Sequence, residues 1–185
     1  LLNQDIPLLP SRKMELIHGC CDGMAMLHSQ NILHLDLKPE NVLIAADGTP
    51  WVADFGLAIA ITATLKSAGA TKGGRGTMNY KAPEHFAATN EQDEDSNSSD
   101  TSSSEEETKT KTTPKPPSIK YDKPADVYSF GMMCWEIFSG KVPFAGKTDG
   151  EIISRHIKAH LGSGKVKRPK IKKVPSEVVP LVEAC

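Results

Sequence analysis

The sequence has few aromatic residues, no long apolar run and almost no net charge. Phe, Trp and Tyr make up 5% of its 185 residues, and hydrophobic residues make up 38%. Ordinary domains contain roughly 45–50% apolar residues when glycine is counted, so a polar segment must dilute a globular part. No stretch approaches the roughly 18 apolar residues of a membrane span. The net charge of −1 gives the chain no bias toward nucleic acids or anionic surfaces.

Cysteine is also scarce, with four residues at Cys20, Cys21, Cys134 and Cys185. The adjacent pair cannot easily close on itself, and two of the four lie on apolar helical faces. We therefore expect reduced thiols and a cytoplasmic protein. Because the chain begins at Leu1 and ends within a helical pattern, we expect it to be a fragment of a longer protein.

The polar segment lies in the middle of the chain. Between residues 91 and 107 there are eight acidic residues, six serines and no basic residue, and five lysines and three prolines follow in 108–123. Such a stretch cannot bury enough apolar area to offset the entropy of ordering. We predict a disordered insertion at 88–119 within one domain made of 1–87 and 120–185. It is either a solvated spacer or a phosphorylated regulatory or docking segment.

Helical periodicity is clear on both sides of the insertion. Residues 11–29 form a predicted helix capped by Ser11, with an apolar stripe of Met14, Ile17, Cys21, Met24 and His28. The segment 125–138 is apolar on almost every side and predicts a buried helix.

Three shorter patterns complete the predicted secondary structure. The runs 42–45 and 50–53, joined through Asp47-Gly48, predict a small β-hairpin because that dipeptide supplies positive φ angles. Thr148 and Glu151 form a capping box before a helix with Ile153, Ile157 and Leu161 at helical spacing. His156 and His160 lie four residues apart in it, without a third zinc ligand, and are predicted at its solvent edge. A last helix is predicted from Ser176.

Polar residues that can handle phosphate groups flank the predicted hairpin. His34-Leu35-Asp36-Leu37-Lys38-Pro39-Glu40-Asn41 precedes it, and Asp54-Phe55-Gly56 follows its second strand. Two acids and an amide at the mouth of one small sheet suit divalent-metal phosphate chemistry. They offer hard oxygen ligands for Mg²⁺ and a carboxylate that can take a proton.

Two further motifs follow Asp54-Phe55-Gly56 along the chain. Gly76-Thr77 precedes Ala82-Pro83-Glu84, and Asp126-Val127-Tyr128-Ser129-Phe130-Gly131 begins the buried helix. Together the motifs resemble the eukaryotic protein kinase family. The resemblance implies an α+β fold, the mainly helical large lobe of a kinase with a small β-hairpin sheet at the catalytic cleft. The small lobe, with its glycine-rich loop and strand lysine, is absent from this sequence. The Lys38-Pro39 pair resembles serine/threonine kinases. The sequences Asp-Val-Tyr-Ser-Phe-Gly and Ala-Pro-Glu-His resemble the tyrosine-kinase-like branch, including receptor-interacting kinases.

The resemblance also implies a role for each site residue. Asp36 would be the base that accepts the substrate hydroxyl proton, and Lys38 would contact the transferring phosphoryl group. Asn41 and Asp54 would hold Mg²⁺, and Leu43 would lie under the adenine ring. Asp126 would accept backbone N–H bonds from the loop around His34.

The function implied is an ATP- and Mg²⁺-dependent protein serine/threonine kinase in intracellular signalling. Its partners would be ATP, a protein substrate and signalling adaptor proteins, with no nucleic acid and no membrane contact. The alternative is a pseudokinase-like scaffold. Small-molecule phosphotransferases share the His-x-Asp and Asn spacing but are not expected to combine Asp-Phe-Gly with Ala-Pro-Glu. We expect the 185 residues alone to be inactive. Leu35 departs from the family pattern because it replaces the usual arginine.

Overall fold

A computed structural model describes residues 8–61, 76–86, 121–160, 176 and 178–180, with side chains through residue 157 in the last helix. The predicted insertion at 88–119 lies outside the described residues, as does most of the helix predicted from Ser176. The described part contains three helices and two antiparallel pairs of short strands. None of these helices combines the length and apolar character that a bilayer crossing requires.

Helix α1 spans Pro10–Ser29, which confirms the helix predicted at 11–29. The N-cap is Leu9, whose side chain makes no capping bond, so the assignment of Ser11 as N-cap is wrong. Proline suits the first turn because its missing N–H would have no helical partner there. Of the predicted stripe, Cys21 is exposed. The buried side chains are Leu16, Ile17, Cys20 and Met24.

Four short strands follow in the order β1 (Ile32–Leu33), β2 (Val42–Ile44), β3 (Pro50–Val52) and β4 (Ile59–Ala60). Strands β2 and β3 form the predicted hairpin, with Leu43 opposite Trp51. In its turn only Gly48 has a positive φ, of 91°, so the expectation that Asp47 shares it is wrong. Strand β1 pairs with β4. This second pairing, which no sequence pattern predicts, brings the segment before Asp36 close to the segment after Asp54.

Helix α2 spans Lys123–Ser139 and is buried along nearly its whole length, as predicted. It ends at Gly140, whose left-handed conformation lets its N–H bond the carbonyl of Glu136 at 2.8 Å. Val127, in the first turn, is 41% exposed and departs from the expectation of a helix without an open side. The helix also buries the polar side chains of Asp126, Ser129 and Glu136.

The largest apolar cluster lies where α1, the hairpin and α2 meet. Ile17, Cys20 and Met24 of α1 contact the apolar face of α2, and Leu37 and Val42 close the cluster beneath the polar loop. The loop that carries the site therefore rests on the main core of the described residues.

Helix α3 spans Asp149–His160 and begins with the predicted capping box. The Glu151 N–H donates to the Thr148 hydroxyl at 3.3 Å, and the Thr148 N–H donates to the Glu151 carboxylate at 3.0 Å. The prediction that His156 lies at the solvent edge is wrong, because the side chain is 2% exposed. Its ring stacks on Phe86 at 5.0 Å between centroids, and Phe144 meets it edge-on at 5.5 Å.

Candidate active site

The polar loop between β1 and β2 is fastened to the start of α2. The backbone N–H groups of His34 and Leu35 donate to the Asp126 carboxylate at 2.9 and 2.8 Å, and His28 Nε2 donates to it at 2.9 Å. Asp126 is 1% exposed, so these bonds satisfy a buried charge. This confirms the predicted structural role of Asp126.

The His34 side chain holds the next turn of the loop. Its Nε2 lies 3.0 Å from the Ala53 carbonyl oxygen, and its Nδ1 lies 3.3 Å from the Asp36 backbone nitrogen. Because a carbonyl only accepts and a backbone N–H only donates, Nε2 is the donor in the first contact and Nδ1 the acceptor in the second. The imidazole thereby links the residue before Asp54 to Asp36.

The Asp36 carboxylate receives four hydrogen bonds from the protein. Oδ1 accepts from the Thr77 backbone N–H at 2.7 Å and from the Thr77 hydroxyl at 2.8 Å. Oδ2 accepts from Lys38 Nζ at 2.7 Å and from Asn41 Nδ2 at 3.1 Å. A carboxylate has about four lone-pair positions, so the protein fills all of them.

These bonds control the ionisation of Asp36. Burial alone would raise the pKa of the carboxyl group, but the bonds from Lys38 and Thr77 together outweigh burial and lower the pKa below its ordinary value. Asp36 is therefore an ionised acceptor with a fixed orientation at neutral pH.

Lys38 lies beside the carboxylate rather than in solvent. Its Nζ contacts both Asp36 and the Thr77 hydroxyl, each at 2.7 Å, and its side chain is 20% exposed. The ammonium group therefore places a positive charge directly beside the Asp36 carboxylate.

Asn41 and Asp54 lie on neighbouring parts of the hairpin. The Asn41 carbonyl accepts the Ala53 N–H at 2.8 Å, which places Asp54 one residue beyond a direct backbone bond. The Asn41 amide nitrogen also bonds the Asp36 carbonyl at 2.7 Å, so the amide oxygen faces away from that contact. Asp54 is exposed in a left-handed conformation with φ of 61°. A carboxylate and an amide oxygen are hard ligands that fit Mg²⁺.

The outer face of the hairpin presents apolar side chains beside the polar site. Leu43 is 59% exposed and Trp51, its cross-strand neighbour, is 64% exposed. Phe55, directly after Asp54, is 50% exposed and its ring lies 5.5 Å from that of His34. A flat apolar group would find contact area here without breaking any hydrogen bond of the loop.

Comparison with known families decides the assignment. The family model described as protein tyrosine and serine/threonine kinase matches residues 1–185. This chain belongs to the protein kinase family. The kinase motifs predicted from the sequence therefore have their expected context, and the branch within the family stays a prediction.

Several curated kinases are similar to this one. The probable serine/threonine-protein kinase PknB of Lactococcus lactis is 29% identical over 88% of this chain and 21% of its own length. Serine/threonine-protein kinase PknB of Mycolicibacterium smegmatis is 27% identical over 85% of this chain and 20% of its own length. A putative serine/threonine-protein kinase/receptor of Acanthamoeba polyphaga mimivirus is 31% identical over 78% of this chain and 7% of its own length. The kinase chain thus spans about a fifth of the two bacterial relatives.

A solved structure supports the fold. The yeast RNA Pol II CTD kinase CTDK-1 complex contains a chain that matches with a TM-score of 0.59 and 24% identity, over 83% of this chain and 40% of that chain. The predicted α+β fold, a mainly helical lobe with small sheets, is confirmed.

Thr77 is the site residue that sequence reasoning missed. It precedes Ala82-Pro83-Glu84 and received no role, yet it makes two of the four bonds to Asp36. The only available signal was its place in the Gly-Thr pair shortly before that motif.

A second unpredicted contact ties the same segment to α2. The Tyr80 hydroxyl donates a short hydrogen bond to the Glu136 carboxylate, and the Ser129 hydroxyl donates to the Tyr80 carbonyl at 2.8 Å. Burial, then the bond to Glu136, raises the pKa of Tyr80. Tyr80 therefore stays a neutral donor that fixes the chain three residues after Thr77.

Proposed function

We propose that this chain carries the catalytic and metal-binding loops of an ATP- and Mg²⁺-dependent protein serine/threonine kinase. Such an enzyme transfers the γ-phosphoryl group of ATP to a protein hydroxyl. The observation that carries the proposal is the ionised Asp36 carboxylate, oriented by Lys38 and Thr77, beside a hairpin that presents Asn41 and Asp54.

Asp36 is the proposed base. The substrate hydroxyl oxygen would form a bond to the γ-phosphorus while the bond to the β-phosphate oxygen breaks, and the hydroxyl proton would pass to Asp36. Because all four acceptor positions are filled, the incoming hydroxyl must displace one protein donor. The Thr77 hydroxyl is the donor whose rotation costs least, since its backbone N–H bond to Oδ1 can persist.

Asn41 and Asp54 are the proposed Mg²⁺ ligands, through the amide oxygen and the carboxylate. The metal would supply positive charge to the phosphate oxygens. Lys38 adds a fixed cation at the same Asp36 oxygen that Asn41 contacts, and it would stabilise negative charge that gathers on the transferring group. Its bonds to Asp36 and Thr77 hold the ammonium group in place before the reaction.

The exposed apolar face of the hairpin supports the proposed nucleotide position. Leu43 offers an open side chain for one face of an adenine ring. Its backbone lies in the strand that begins directly after Asn41, so base and phosphates would be bound by one continuous segment.

Three observations support the finer assignment. The Lys38-Pro39 pair resembles serine/threonine kinases, and the similar curated proteins carry that name. The buried thiol of Cys20 forms no disulfide with any described residue, which suits a reducing compartment such as the cytoplasm. The substrate would be a protein, with adaptor proteins as further partners.

The test is a protein-phosphorylation assay on the full-length protein across a Mg²⁺ series. Asp54→Asn is expected to abolish Mg²⁺-dependent turnover, and Asp36→Asn to lower kcat by at least about 100-fold. Asp22→Asn, a matched change at an exposed position of α1, should behave as wild type. Near-wild-type turnover by both site variants would replace the enzyme proposal with the scaffold alternative.

A further inference from the structure

Gly76 lies closer to the catalytic loop than a side chain would allow. A Cβ added to Gly76 would overlap the carbonyl oxygen of Leu35 and would lie 3.6 Å from Asp36 Oδ1. The residue also has a φ of 92°, which L-amino acids with a side chain rarely adopt. Both the space and the backbone conformation at this position require glycine.

The Leu35 peptide cannot easily retreat from this contact. Leu35 itself has a φ of 65°, its side chain is 8% exposed, and its N–H is bonded to the buried Asp126 carboxylate. The loop is thus bonded to α2 through Asp126, and Gly76 packs against the Leu35 carbonyl of the loop. A larger residue at 76 would have to move its own segment instead.

The segment that would move contains the donors to Asp36. Thr77 directly follows Gly76 and bonds Oδ1 through both its N–H and its hydroxyl. Hydrogen bonds weaken steeply beyond about 3.2 Å, so a displacement of the order of 1 Å would break both. Thr77 is also a partner of Lys38, so the ammonium group would lose one of its two fixed contacts.

We infer that Gly76 is a positioning residue whose missing side chain allows Thr77 to orient the Asp36 carboxylate. This inference rests on the proposed function, in which Asp36 is the base. The close approach of Gly76 to the Leu35 carbonyl thus determines how the Asp36 carboxylate is held.

The experiment compares Gly76→Ala with Gly146→Ala in the full-length protein. Gly146 has a similar φ of 77°, but a Cβ there meets nothing within 4 Å. The control therefore shares the backbone strain and lacks the collision. We expect Gly76→Ala to lower kcat by about 10-fold to 100-fold, as for loss of hydrogen bonds to a charged group, with the KM for ATP unchanged. Gly146→Ala should leave both parameters at the wild-type values.

A second readout needs no activity. In hydrogen-exchange NMR, the Thr77 backbone amide should exchange faster in Gly76→Ala than in wild type, because its bond to Asp36 Oδ1 is lost. If this change occurs but no variant phosphorylates protein, the positioning role stands and the proposed function fails. If wild type is active while Gly76→Ala matches it in both kcat and Thr77 amide exchange, the inference is overturned.

A double variant guards against loss of folding. Leu35→Gly relaxes the positive-φ residue beneath the contact, so Gly76→Ala should cost less in a Leu35→Gly background than in wild type. Where Gly76→Ala alone does not fold, recovery of folding in the double variant shows the relief. Equal costs of Gly76→Ala in the two backgrounds, loss of folding in both included, would contradict a collision with the Leu35 carbonyl.

Discussion

The backbone N–H of His34 donates to the Asp126 carboxylate at 2.9 Å, although the two residues are 92 positions apart. Because Leu35 and His28 donate to the same carboxylate, one buried acid joins α1, the catalytic loop and α2. The shape of the loop that carries Asp36 thus depends on a buried side chain outside the loop.

Asp126→Asn should destabilise the fold strongly. Asparagine keeps one acceptor oxygen but turns an NH₂ group toward a backbone donor, which leaves buried groups unsatisfied. We expect a loss of about 2 to 4 kcal/mol in the free energy of unfolding. Denaturant unfolding at pH 7.5 measures it, with Asp22→Asn as the exposed control. Equal stabilities for the two variants would contradict the anchoring role.

Thr77 should matter through its hydroxyl. Thr77→Val removes the hydroxyl bond to Asp36 Oδ1 and the acceptor for Lys38 but keeps the backbone N–H bond, whereas Thr77→Ser keeps all three. The pKa of Asp36 should therefore rise in the valine variant, and the acid limb of the pH profile of kcat/KM should move to higher pH. The serine variant should retain the wild-type profile. Superimposable profiles for valine and wild type would show that the hydroxyl does not tune Asp36.

His156 should make stability depend on pH. Burial among aromatic rings lowers the pKa of His156 to about 4 from 6.5. Between these values the unfolded chain binds a proton that the folded chain refuses, so the free energy of unfolding falls as pH drops from about 6.5 to about 4. The expected loss is about 2 to 3 kcal/mol.

His156→Phe tests this, because phenylalanine keeps a planar ring against Phe86 and cannot titrate. Its free energy of unfolding should decline less than that of wild type between pH 7 and 4.5, while His18→Gln, at an exposed position, should follow wild type. Parallel curves for wild type and His156→Phe would disprove the linkage.

Leu35 bears on regulation. Kinases with arginine at this position use its donors to hold an activation-segment phosphate, and a buried leucine has no such donor. The hydroxyls that could be phosphorylated are Thr62, Thr64, Ser67 and Thr71. They lie outside the described residues. We expect phosphatase treatment of the active full-length kinase to change kcat by less than about tenfold. A hundredfold fall, reversed by rephosphorylation at one of them, would show that another cation replaces arginine.

Local patterns predicted the helices and the hairpin because capping boxes, periodicity and turn residues act over a few positions. They were less accurate about which face is buried. The α1 stripe included Cys21, yet Cys20 is buried, because α1 packs against both α2 and the hairpin. His156 was misplaced because its aromatic surroundings come from Phe86, Tyr128 and Phe144, which only the fold brings together.

In the candidate site, too, residues within one local motif were predicted, whereas a contact between distant segments was missed. Asp36, Lys38 and Asn41 were predicted because they share one short motif, and the structure brings Lys38 and Asn41 into direct contact with Asp36. Thr77 contacts Asp36 across 41 positions, and no local pattern encodes that approach. The catalytic and binding roles of Asp36, Lys38, Asn41, Leu43 and Asp54 stay predictions.

The most direct test of the central claim is the identity of the phosphorylated product. The full-length protein is incubated with a protein substrate and ATP labelled at the γ-phosphate, and the label is assigned to amino acids after hydrolysis. We predict label on serine and threonine, at turnover numbers of roughly 1–100 s⁻¹ for a good substrate, and at least about 100-fold less with Asp36→Asn. Label on tyrosine alone, or equal labelling by wild type and Asp36→Asn, would contradict the account.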